Sequence, residues 1–121
     1  MIGCFDSNIV IDALKGNDQA RAALRVAERR VLSIVTWIEV LAGCRTDDER
    51  ASARRLMAAC QVIPLASDVA EETVRIRSQR RLKLPDAAVL ATARVSGCQL
   101  VTRNTKDFPA DDPDIHVPYR L

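Results

Sequence analysis

An α/β sandwich built on a mainly parallel sheet is the fold class this sequence predicts, and three observations predict it. Short apolar runs that read as strands alternate with longer segments of helical period. Gly, Asn and Thr fall at the joins, where helices start and stop. The chain has 121 residues, 48% hydrophobic and 28% charged, which suits a single domain over residues 1–121 with one sizeable core.

The elements follow in order. Ile2 to Phe5 is a strand, and Asn8 to Lys15 a helix ended by Gly16. Asn17 caps a second helix through about Arg29, with Ala20, Ala23, Leu24 and Ala27 on one face. Val31 to Val35 is a buried strand, after which Thr36 caps a helix that stops at Gly43. Asp47 to Cys60 is a fourth helix and Gln61 to Pro64 a strand. Two more helices run from Ser67 to about Arg81 and from Pro85 to Ser96, the second terminated by Gly97. "QLVT" and "DIHV" are closing strands, joined by the loop "RNTKDFPADDP". In such sheets ligands gather beyond the carboxyl ends of the strands, where Asp6, the start of the Thr36 helix and "TRN" should all lie.

Composition removes several classes. Lys and Arg total 18 against 16 Asp and Glu, so a net charge of +2 does not announce nucleic-acid binding; any electrostatic footprint must be local. Cys4, Cys44, Cys60 and Cys98 form no C-x-x-C pair, and His116 is the only histidine, so neither a zinc site nor a disulfide framework is suggested. Buried thiols in a reducing compartment are expected. The N-terminus lacks the pattern of a signal peptide, and no apolar run approaches the ~18 residues of a membrane span. The expected location is cytoplasmic, with no membrane partner.

Three carboxylates stand alone in apolar tracts. Asp6 is the only charge before Asp12, Glu39 the only one in "VLSIVTWIEVLAGC", and Asp86 the only one in "LPDAAVLATA". Each sits near a strand end or a helix start. Singly, Asp6 reads as an N-cap, Asp86 as a complement to the helix dipole, and Glu39 as a solvent-facing edge position. Asp107, in the loop "NTKDF", means little by itself. As a set they ask for more, because clustered carboxylates repel one another and raise the proton affinity of at least one member. A hard cation such as Mg²⁺ or Mn²⁺ among them relieves that repulsion, and an acidic cluster without His or Cys points to metal-assisted phosphoryl chemistry. Ser7 is a poor covalent nucleophile, with no His or Lys near it in sequence to act as base.

The same residues speak against two other classes. A phosphorelay receiver needs an acceptor Asp at the end of its third strand, where this chain has Pro64, Leu65 and Ala66. A haloacid-dehalogenase-type phosphatase needs a second Asp two residues after the first, where Asn8 stands. A non-catalytic nucleic-acid or protein binding module on the same fold stays open as the alternative.

"FDSN" at Asp6, "TWIEVLAG" around Glu39, "KLPDAAVLATA" around Asp86 and "LVTRNTKDF" ending at Asp107 together resemble the four acidic motifs of the PIN-domain ribonucleases, in particular the VapC-type toxins of toxin–antitoxin pairs. The resemblance runs from residue 5 to residue 108. It implies a three-layer α/β/α sandwich and a Mg²⁺- or Mn²⁺-dependent endoribonuclease. On matching positions, Asp6, Glu39 and Asp86 hold the metal directly or through water, Asp107 completes the acidic pocket, and Ser7, Thr102 and Asn104 support it. Asn104 departs from the pattern, since many relatives carry a further Asp there; weaker binding of a second ion is the expected consequence. The resemblance also implies an RNA substrate, a small antitoxin partner and a homodimer. For the substrate, "RIRSQRRLK" supplies Arg75, Arg77, Arg80, Arg81 and Lys83 just ahead of Asp86, a basic stretch that reads either as a phosphate track or as a solvated helix face. With one Trp, one Tyr and two Phe, there is little material for base stacking.

Overall fold

The computed structural model describes residues 1–121. Its strands are β1 (Ile2–Phe5), β2 (Arg29–Ser33), β3 (Gln61–Ile63), β4 (Gln99–Val101) and β5 (Ile115–His116). Its helices are α1 (Ser7–Leu14), α2 (Asp18–Val26), α3 (Ile34–Ala42), α4 (Asp47–Met57), α5 (Ser67–Gln79) and α6 (Leu84–Val95). The strands pair in the order β3-β2-β1-β4-β5, and every pairing is parallel.

Alternation along the strands divides the core in two. Cys4, Val31 and Leu100 point to one face and pack with α5, α6, Phe108 and Ile115. Phe5, Leu32 and Val101 point to the other, against α1, α2, α3, α4 and Tyr119. Helices thus cover both faces, as an all-parallel sheet requires, giving three layers. Phe5 and Phe108 are fully buried, one on each side of the sheet. Truncating either to Ala costs about 3–5 kcal/mol on general grounds.

The order of connections positions the site. From β1 the chain winds outward through β2 to β3, then returns across the sheet and resumes at β4 on the other side of β1. β1 and β4 therefore flank a topological switch point, and a crevice opens beyond their carboxyl ends. No helix is long and apolar enough to cross a membrane.

Several boundaries differ from the sequence reading. The second strand is Arg29–Ser33 rather than 31–35, and Ser33, not Thr36, caps α3 by accepting the Val35 N–H at 3.0 Å. Thr36 lies inside the helix, and its Oγ1 is the one buried side-chain polar atom without a hydrogen-bond partner. Only Cys4 of the four thiols is fully buried; the others are half-buried. Asn17 caps α2 as expected, accepting from the Ala20 N–H at 2.9 Å. Gly16 (φ 91°) and Gly97 (φ 71°) end α1 and α6 in the left-handed region that favours glycine.

Candidate active site

The β1–β4 register builds the centre of the site. Phe5 pairs with Val101, so the next residues, Asp6 and Thr102, leave the sheet side by side. The Asp6 N–H donates to the Val101 carbonyl at 2.9 Å, and the Thr102 hydroxyl donates to Asp6 Oδ2 at 2.8 Å. Asp6 has extended backbone (φ −73°, ψ 159°) and caps α1, with Oδ1 accepting the Ser7 N–H at 2.8 Å. Asn8 adds a third donor, its Nδ2 reaching Asp6 Oδ2 at 3.3 Å and Thr102 Oγ1 at 3.1 Å. Oδ2 thus takes two donors and Oδ1 one, which leaves Oδ1 with a lone pair to spare. Asp6 is both a helix cap and a carboxylate held in one orientation at 6% exposure.

The other acids approach from three directions. Glu39 lies in the second turn of α3, exposed, on the α1–α4 side of the sheet. Asp86 occupies the first turn of α6, on the opposite side, half-buried and without a capping hydrogen bond. Asp107 follows β4 in a turn held by Asn104, whose Nδ2 donates to Asp107 Oδ2 at 3.0 Å and whose Oδ1 accepts the Asp107 N–H at 3.2 Å. Asn104 is tied back in turn, its own N–H donating to Thr102 Oγ1 at 3.0 Å.

Electrostatics show that these acids share one neighbourhood. Burial raises the pKa of Asp6, against the pull of its three donors, and the Asp107 charge adds to the rise. Partial desolvation raises Glu39, with repulsion from Asp6 and Asp86. Desolvation also raises Asp86, with repulsion from Asp6 and Asp107, while Lys83 opposes it. As placed, no three Asp, Glu, Cys or His side chains stand close enough to ligate one ion. They are near enough to repel one another but do not close a cage. The donors are all carboxylate oxygens, the hard ligands that Mg²⁺ and Mn²⁺ prefer, and mutual repulsion is what a cation would relieve. The residues therefore fit a divalent cation.

A pH dependence follows from these directions. An acid whose pKa is raised by folding destabilises the fold when ionised, so with chelator present the protein should melt higher as pH falls from neutrality toward the ordinary carboxylate range near ~4. Glu39→Gln should flatten that rise without disturbing a hydrogen bond. Melting curves from pH 8 to 5 in EDTA check this, and identical slopes in parent and variant would mean that Glu39 carries no repulsion.

The supporting residues divide. Thr102 and Asn104 hold acids directly, whereas Ser7 contributes its backbone N–H. Asn8 was not foreseen as a site residue; it joins Asp6, Thr102 and, through Oδ1, the Arg103 N–H at 3.2 Å. Of the basic stretch, Arg77, Arg81 and Lys83 are exposed, and Lys83 lies near enough to Asp86 to favour its charge. Arg80 is committed elsewhere, paired with Asp112 at 3.1 Å and donating to the Asp107 carbonyl at 3.4 Å.

Comparison with known proteins places this geometry. Residues 3–110 match the PIN domain family. Ribonuclease VapC10 of Mycobacterium tuberculosis is 34% identical over 112 residues, 86% of this chain and 84% of that protein. A toxin-antitoxin complex from Klebsiella pneumoniae contains a chain 38% identical, with a TM-score of 0.90 over 98% of this chain and 99% of that one. FitAcB from Neisseria gonorrhoeae shares the fold at 23% identity, with a TM-score of 0.79 over 99% and 100% of the two chains.

Proposed function

The chain belongs to the PIN domain family, and from that premise we propose that it is a Mg²⁺- or Mn²⁺-dependent endoribonuclease, the toxin of a toxin–antitoxin pair. The observation that carries the reading is the hydrogen-bonded chain from Asp6 through Thr102 and Asn104 to Asp107 at the switch point of a parallel sheet, with Glu39 on α3 and Asp86 on α6 close enough to repel Asp6. The similarity to a named ribonuclease and to a chain of a toxin–antitoxin complex supports it.

Asp6, Glu39, Asp86 and Asp107 are the residues that would hold the cation. When bound, a divalent cation supplies Lewis acidity at a phosphate oxygen and lowers the pKa of a coordinated water. The chain's own residues do the rest. Asp6, immobilised by Ser7, Asn8 and Thr102, presents Oδ1 in one direction. The side chains of Glu39 and Asp86 accept no hydrogen bond within the chain, so both carboxylates are free to hold the cation directly or through water. Asn104 orients Asp107. Lys83, beside Asp86, and the exposed Arg77 and Arg81 are free to neutralise backbone phosphates, whereas Arg80 holds the loop that carries Asp107.

For the antitoxin, a cleft of about 520 Å³ lies among α1, α2 and α4. Arg21, Arg25, Arg30 and Arg55 surround its floor of Leu14, Leu24 and Leu56, and none of the four is paired with a carboxylate. That combination complements an acidic, amphipathic segment. The nuclease reading is tested by incubating the purified chain with RNA: cleavage should require Mg²⁺ or Mn²⁺, stop with EDTA and return on adding the metal. RNA binding without cleavage under any divalent ion would make it a binding module instead.

A further inference from the structure

A second polar cluster lies behind the acids, and none of the motifs accounts for it. Asp12, one helical turn beyond Asn8 on α1, is buried at 6% exposure. It accepts two hydrogen bonds from Arg103, Nε to Oδ2 at 2.6 Å and Nη2 to Oδ1 at 3.1 Å. Its Oδ2 also accepts the hydroxyl of Tyr119 at 2.7 Å. Tyr119 is buried in the core on the α1–α4 side, three residues beyond β5. The Arg103 backbone is fixed as well, its N–H donating to Asn8 Oδ1.

Arg103 stands between Thr102, which holds Asp6, and Asn104, which holds Asp107. One face of α1 therefore grips this residue twice: Asn8 by its backbone and Asp12 by its guanidinium. We infer that Asp12, Arg103 and Tyr119 are positioning residues for the candidate site, locking the 102–107 segment to α1 so that Asp6 and Asp107 keep a fixed separation, with the C-terminal segment as part of the lock. The inference rests on the acids being the cation site proposed above.

The chemistry suits a lock. A bidentate Arg–carboxylate pair fixes orientation as well as distance. The Arg103 hydrogen bonds hold the Asp12 carboxyl below the ordinary Asp range, so it stays ionised at neutral pH. Burial and the Asp12 charge push the Tyr119 hydroxyl up, so it remains a donor. Outer residues that orient ligands typically contribute 10–100-fold to metal affinity or activity.

The test compares the full chain with Asp12→Asn, Tyr119→Phe and, as a control, Met57→Ala, a buried core residue of α4. Mn²⁺ uptake is read from the EPR signal of free Mn²⁺, and kcat and KM from RNA cleavage, all well below the lowest melting temperature. Asp12→Asn should weaken Mn²⁺ binding about tenfold and lower kcat with KM for RNA unchanged. Tyr119→Phe, which keeps the ion pair and the core packing, should show the same pattern at about threefold. Met57→Ala should melt lower yet bind Mn²⁺ like the parent. If Tyr119→Phe and Asp12→Asn also bind and cleave like the parent, the lock is only structural and the inference is overturned. A parent that takes up no Mn²⁺ would instead remove the cation-site reading, and the inference with it.

Discussion

Asp86→Asn and Asp6→Asn should each lower RNA cleavage by at least about a hundredfold, a loss above the range for residues that merely orient a metal ligand. The two substitutions act differently on the fold. The Asp86 carboxylate accepts no hydrogen bond, so its variant removes one negative charge and little else. Asp6→Asn has a local cost. If Oδ1 keeps the Ser7 N–H, the new amide nitrogen faces Asn8 Nδ2 and Thr102 Oγ1, and Oγ1 already accepts from Asn8 and from the Asn104 N–H. A donor then meets donors. A drop in the melting temperature of Asp6→Asn therefore says nothing about metal binding, and Asp86→Asn is the cleaner probe. Cleavage retained by both variants, at parent rates and with intact folds, would remove these acids from the mechanism.

Outside the apolar core, the largest effect on stability should come from Arg103→Ala, at about 3 kcal/mol or on the order of 10 °C in Tm. An exposed ion pair contributes about 0–1 kcal/mol, whereas removing one partner of a buried pair costs about 3–5 kcal/mol because the other charge is left uncompensated. Asp12 is the buried partner, with 8% of its side chain exposed against 33% for Arg103. Tyr119 remains as one donor, which argues for the low end of the range. The pH dependence has a definite sign. Folding lowers the Asp12 pKa, so its contribution is complete above the ordinary Asp value near ~3.9 and is lost as pH falls below it. Arg103→Ala should thus lose least, relative to the parent, under acid conditions. Chemical denaturation at pH 7 and pH 3 measures both, and a penalty below about 1 kcal/mol at pH 7 would show that the pair behaves as a surface contact.

How much of this could be read from the sequence depends on whether a signal is local. The alternation of strands and helices was legible because each element carries its own period and stop, as with Asn17 ahead of α2 and Gly97 after α6. The β2–α3 boundary was not. Val31, Leu32, Ile34 and Val35 form one apolar run through a buried parallel strand into an apolar helix, and only Ser33 interrupts it. Arg29 and Arg30 begin the strand because their backbones pair with Ile2 and Gly3, a requirement that hydrophobicity does not record.

The site follows the same rule. Asp6, Glu39 and Asp86 could be picked out because an isolated carboxylate in an apolar tract needs a reason. Asn8, Asp12 and Tyr119 could not, since Asn8 and Asp12 meet Arg103 across 95 and 91 positions, and Tyr119 meets Asp12 across 107. Those contacts exist only because β4 returns to lie beside β1. The pairing of Arg80 was hidden for a related reason: a basic run looks uniform, whereas the fold pairs Arg80 with Asp112, 32 residues away, and Arg75 with Glu72.

The central claim is that the four acids form one divalent-cation site. Mn²⁺ titration of the full chain, followed by the EPR signal of the free ion, tests it most directly, with Asp86→Asn and Glu39→Gln as site variants and Asp18→Asn, an exposed acid on α2, as control. The account predicts saturable uptake by the parent and by Asp18→Asn, with affinity reduced at least about tenfold in both site variants. Equal affinity in all four proteins would contradict it.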